Sequence, residues 1–132
     1  MIPVFQTMTV ANDGEGNCFN ACIASILELP LRDVANILPK YEGDYWGAWD
    51  EWFAGRGLSI EYRVLHERRK LPQGYCIVAG RSGRVYPEGH RLAGQRIHHA
   101  CVAFDGVVVH DPFPVPGEFG DISAWYEIKP LS

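Results

Sequence analysis

Two hydrophobic rhythms divide the chain roughly in half. Apolar residues from Phe19 to Leu29 occupy nearly every side of a helical projection, which predicts a central, covered helix over Cys18–Leu29, stopped near Pro30. Leu31–Leu38, closed by Pro39, predicts a second, short helix. Trp46, Trp49 and Phe53 share one helical face between Tyr45 and Ala54, and Gly55 and Gly57 end that segment. Met1–Val10, ahead of these helices, alternates loosely and reads as extended. After Gly57 the period becomes two. Leu58–Leu65, Tyr75–Ala79, His98–Phe104, Val107–His110 and Ala124–Ile128 then predict strands. The stretch Gly80–Gln95, rich in Arg and Gly and holding Pro87, reads as a surface loop. Helices first and antiparallel strands after them predict an α+β domain of two packed layers.

Size and charge narrow the function classes. A chain of 132 residues is ordinarily one domain, here 1–132, with room for a single core. The net charge of −4 argues against a nucleic-acid partner, and the one basic cluster, His66-Glu67-Arg68-Arg69-Lys70, reads as a solvated connector before Leu71-Pro72. No apolar run reaches membrane length, and the N-terminus lacks the basic-then-apolar order of a signal peptide, so no membrane partner and a cytoplasmic location are expected. The four cysteines sit in apolar segments without a C-x-x-C pair, so neither a disulfide framework nor a zinc site is expected. Cys22, Cys76 and Cys101 read as packed thiols, and no cofactor is expected.

Cys18 is different, because Asn17-Cys18 follows the glycine-broken loop Asp13-Gly14-Glu15-Gly16 and opens the apolar helix. A helix N-terminus carries unpaired N–H groups and partial positive charge, which favour a thiolate, the nucleophilic form. Asn17 suits the N-cap, its side-chain oxygen accepting from an amide in that turn. Alone, the same cysteine is equally a small buried hydrophobe.

The second element of chemistry lies in His98-His99-Ala100-Cys101-Val102-Ala103-Phe104, which returns through Asp105-Gly106 as Val107-Val108-Val109-His110-Asp111-Pro112. Asp-Gly between two β runs predicts a hairpin. If the loop has two residues, Phe104 pairs with Val107, His99 stands opposite Pro112, and Asp111 shares the face of His98. If the turn is odd, with Gly106 as a G1 bulge, Ala103 pairs with Val107 and His99 stands opposite Asp111, about 5 Å away between Cβ atoms. We expect the odd turn and His99, because small Cys101 and Ala103 follow on its face and would let the strand lie close to the helix of Cys18. A cysteine at a helix start with a distant His and Asp is the cast of a cysteine nucleophile site.

These residues carry a resemblance. Gly-Asn-Cys-Phe-Asn-Ala-Cys-Ile-Ala-Ser-Ile-Leu, a later His-Ala and an Asp-Pro after the next strand resemble the papain-like cysteine peptidase superfamily, most closely its C39-like branch, whose small members occur in phages and bacteria. The resemblance runs from about Gln6 to Pro112. It implies a papain-like fold in which N-terminal helices, the central one bearing the cysteine, pack on an antiparallel sheet. It also implies Cys18 as nucleophile, His99 as general base and then acid, and Asp111 as orienter. Gln6, the only upstream Gln, is the implied oxyanion donor, with Asn17-Cys18 backbone beside it. The implied activity is acyl transfer, as a peptidase or amidase on a peptide, isopeptide or other amide substrate, with acyl transfer to an amine as the alternative outcome. Two other readings stay open: a binding module using the Trp46–Trp52 region or the Gly80–Gln95 loop to hold a protein partner, and a metal site built from Cys18, His99 and Asp111.

Overall fold

The computed structural model describes residues 1–10, 16–39, 41–64, 70–113 and 119–131. Among them, helices α1 (Cys18–Leu27) and α2 (Tyr45–Ala54) precede strands β1 (Leu58–Val64), β2 (Tyr75–Val85), β3 (Arg96–Phe104), β4 (Val107–His110) and β5 (Phe119–Pro130). The strands form one antiparallel sheet in the order β1-β5-β2-β3-β4. The expected α+β architecture is therefore present. No helix among the described residues is long and apolar enough to cross a membrane.

The sheet is covered on both faces, as alternation along its strands requires. Ile60, Ile77, Ala100, Val102, Tyr126 and Ile128 pack with Cys22, Ile23 and Ala24 of α1 and Trp49 and Phe53 of α2. Cys76, Val78, Cys101, Ala103 and Trp125 form a second cluster with Leu71, Phe119 and Ile122. Cys101 and Ala103 thus lie away from the helical core. This corrects the expectation that they carry the strand against α1; Ala100 and Val102 do so.

Several element boundaries differ from the sequence reading, β3 and β5 among them, which begin earlier, at Arg96 and Phe119. Leu31–Leu38 is a helix only as a single 3₁₀ turn, Leu31–Asp33. The rest is pulled out of helical geometry by tertiary contacts, since the Asn20 Nδ2 amide donates to the carbonyls of Ala35 and Ile37 at 3.1 and 3.2 Å. Gly80–Val85, expected as loop, continues β2 instead. Gly80 makes this possible: a Cβ there would lie 1.9 Å from the Asp121 carbonyl oxygen of β5, so only glycine permits the strands to approach. Helix α1 stops at Leu27, with Glu28 in the left-handed region (φ 57°) and its N–H returned to the α1 carbonyls, two residues before Pro30. Met1–Val10 contains no strand. It runs as a strap, with Ile2 N donating to Ser25 O (3.1 Å) and Gln6 N to Pro112 O (2.9 Å). The expected loop at Asp13-Gly14-Glu15, Leu65, and all of the basic connector except Lys70 lie outside the described residues.

Candidate functional site

Cys18 is the first residue of α1 and is half-buried, whereas Cys22, Cys76 and Cys101 are buried free thiols. As first helical residue its N–H has no carbonyl acceptor within the helix. Asn17 stands just before it, and its carbonyl accepts the helix's first bond, from Ala21 N at 3.0 Å. Its side chain does not cap, contrary to expectation. Oδ1 accepts instead from Thr7 N (3.0 Å) and Met8 N (2.9 Å), and Nδ2 donates to Thr7 Oγ1 (3.0 Å). Two amides of the N-terminal strap outcompete the single local one. The Asn17 amide thus holds that strap beside the site.

The hairpin places the histidine and the carboxylate by a route the turn rules did not anticipate. The turn has two residues, Asp105 (φ 49°) and Gly106 (φ 82°), with Phe104 paired to Val107. That register alone would put Asp111 on the face of His98. The pairing then slips from Ala103↔Val108 to Val102↔His110, leaving Val109 as an extra residue in β4. The bulge restores the parity that an odd turn would have supplied. Asp111 thereby returns to the His99 face, and His99 Nε2 meets Asp111 Oδ1 at 2.6 Å.

The His99 ring hydrogen-bonds to Asp111, and the Cys101 and Cys18 thiols stand close enough to bear on its charge. Pairing with β4 ends at Val102, so the first turn of α1 meets the ring where that edge of β3 has no described strand partner. Phe113 and Phe119 stand edge-on to the ring, 6.5 and 6.0 Å between centroids, and screen it from water. Burial alone would depress the His99 pKa. The hydrogen bond to Asp111 and the nearby Cys101 and Cys18 thiols, with the charge of the Cys18 sulfur, outweigh it and push the pKa up to about 11. Burial also opposes ionisation of Asp111, but the His99 bond, a bond from Phe113 N (2.9 Å) and the His99 and Arg84 charges hold its carboxyl below the usual value. Burial raises the Cys101 and Cys22 thiols, leaving both neutral near pH 7. A cationic imidazole beside a half-exposed sulfur is the setting in which a thiolate is favoured.

The other two histidines are elsewhere. His98 is exposed and faces Arg81; burial first, and then that charge, lower its pKa. His110 is buried and bonds the strap at Val4 O (2.7 Å). Gln6 is also buried. Its backbone is tied to Pro112, next to Asp111, and its Nε2 donates to Met8 O (3.0 Å). A Cβ on Gly16 would lie 3.7 Å from that Nε2, so the amide sits beside the approach to Cys18. Its Oε1 is buried and finds no hydrogen-bond partner among the described residues.

Two features escaped the sequence reading. Cys101, taken as simple packing, stands beside the His99 ring and interacts with it through its thiol; its spacing of two from His99 on a strand was the available sign. A cavity of about 350 Å³ opens beside the start of α1, lined by Thr7, Met8, Asn17, Asn20, Leu31 and Arg32. Comparison of the chain with protein-family models, with curated proteins and with solved structures found no match.

Proposed function

We propose that the protein is a cysteine-dependent acyl-transfer enzyme with a papain-like fold, acting as a peptidase or amidase in the cytoplasm on a peptide, isopeptide or other amide. The observation that carries this reading is the chain of contacts at the start of α1: the Cys18 thiol on the His99 ring, and His99 Nε2 on Asp111 at 2.6 Å. The Cys18 thiolate attacks the amide carbonyl, and the oxyanion forms beside the Cys18 N–H, with Gln6 Nε2 as second donor. His99 gives its proton to the leaving amine, and a thioester remains on Cys18. His99 then takes a proton from water, which attacks the thioester, releases the acid and restores the Cys18 thiolate beside the protonated ring. Asp111 fixes the ring orientation and stabilises its cationic form. The cavity beside Asn17 and the exposed Trp46, stacked on Tyr126 at 5.4 Å and edge-on to Phe19, are the two surfaces next to Cys18 that can hold the acyl chain. The same exposed Trp46 supports a second reading, a non-catalytic module that binds a protein partner there.

The test is selective chemistry at one thiol of four. Iodoacetamide at neutral pH should label Cys18 ahead of Cys22, Cys76 and Cys101, and an activated amide or thioester probe should acylate Cys18 and turn over. Equal inertness of all four thiols would favour the binding module.

A further inference from the structure

We propose that His99, Cys101 and Asp111 form a binding site for a zinc-class divalent cation that excludes the hydrogen-bonded pairing of His99 with Asp111. Among the described residues, one nitrogen, one sulfur and one carboxylate oxygen from these three side chains all lie within 4.8 Å of one another. Zinc bonds of about 2.0 to 2.3 Å place tetrahedral ligands roughly 3.3 to 3.7 Å apart, so side-chain shifts of about an ångström close the site. The His99–Asp111 contact must open from 2.6 Å by a similar amount, the ion replacing the proton shared between them. A nitrogen, a thiolate and a carboxylate are the mixed donor set that a borderline cation accepts, and three protein ligands leave one coordination position open.

The surroundings suit such an ion. His99 and Cys101 are buried, while the Asp111 side chain is 25% exposed and provides the entry path. Phe113 and Phe119 wall the ring, and the Phe113 N–H already holds one carboxylate oxygen in place. Cys18 lies on the ring but outside the three-atom cluster, so it is not a ligand. The ion would release the Cys101 thiol proton and hold the ring and Asp111 away from their hydrogen bond. Binding at this site is thus an off state for the acyl-transfer reading above, although the site stands whether or not that reading is right.

Competition for zinc between the protein and a chromophoric chelator, with cobalt as spectroscopic reporter, tests it. One ion per chain is expected, with a cobalt–thiolate absorption band. Cys18→Ala should keep both the affinity and the band. Cys101→Ser should abolish the band, and it and Asp111→Asn should each weaken zinc at least about tenfold; Cys76→Ser, in the sheet interior, should change neither. Asp111→Asn keeps its shape and serves if the buried Cys101→Ser fails to fold. Loss of the band in Cys18→Ala, or no chelator-competing zinc in the folded wild type, overturns the site. Zinc binding without Cys18 acylation in the metal-free protein would leave the site standing and count against the enzyme.

Discussion

Each residue of the candidate triad has an environment that predicts a separate measurement. Cys18→Ala removes a half-buried thiol from a helix start, so stability should fall by only about 1 kcal/mol in urea denaturation. Acylation by an activated amide probe should vanish, a loss of at least about 10³-fold in turnover. Unchanged turnover would place the chemistry on another residue. Asp111→Asn is expected to preserve the fold but remove the main contact that raises the His99 pKa to about 11. The ring resonance, followed by NMR, should titrate well below the wild-type value. Turnover should drop by roughly 10² to 10⁴-fold, as when an orienting carboxylate is replaced by an amide that favours the wrong tautomer. A titration in Asp111→Asn that matches the wild type would show that Asp111 does not set the ring's charge.

At the scale of elements, the site depends on the register that pairs His110 with Val102 and leaves Val109 without a partner in the ladder. Deleting exposed Val109 removes the β4 bulge, yet continued pairing from Phe104↔Val107 through Ala103↔Val108 still brings His110 opposite Val102 and keeps Asp111 on the face of His99. The deletion should fold, since β4 is a short edge strand, and keep turnover and the His99 titration close to wild type. A deletion variant that behaves like Asp111→Asn would show that the bulge itself, and not the register beyond it, positions the carboxylate. This bulge marks the limit of what the chain reveals as a sequence. Cys18 at a helix start was legible because Gly16 and the apolar run bracket it, and the Asp105-Gly106 hairpin because its turn residues favour positive φ. The parity joining His99 to Asp111 was not legible, because nothing in Val107-Val108-Val109 distinguishes the bulged valine. The continuation of β2 through Gly80–Val85 was hidden by its Arg and Gly content. There glycine serves close strand contact and not a turn, so Gly80→Ala should destabilise by about 1 to 3 kcal/mol in urea denaturation, the Asp121 carbonyl having to move. A neutral effect would show that β5 yields freely.

Across the whole molecule, four separated stretches converge on one point: the strap with Gln6, the start of α1, the middle of β3 and the exit of β4. The strap is held at both ends of this convergence, by Asn17 on Thr7 and Met8 and by Pro112 O on Gln6 N, so folding and site assembly are one event. Global stability should therefore report on the site's charges. His99 has its pKa raised from 6.5 to about 11, so its contribution is complete below about pH 6.5 and declines as pH rises through 11. Asp111 has its pKa lowered from 3.8, so its contribution is present above about pH 4 and is lost as pH falls through the lower folded value. The pair stabilises most between those limits. The difference in unfolding free energy between wild type and His99→Gln, measured by urea denaturation from pH 3 to 10, should be largest near pH 5 to 6 and shrink toward both ends. Titration of other carboxylates and lysines cancels in that difference, because both proteins carry them. A difference that grows steadily with pH would mean that His99 is held neutral in the folded protein, and with it would go the charged imidazole beside Cys18.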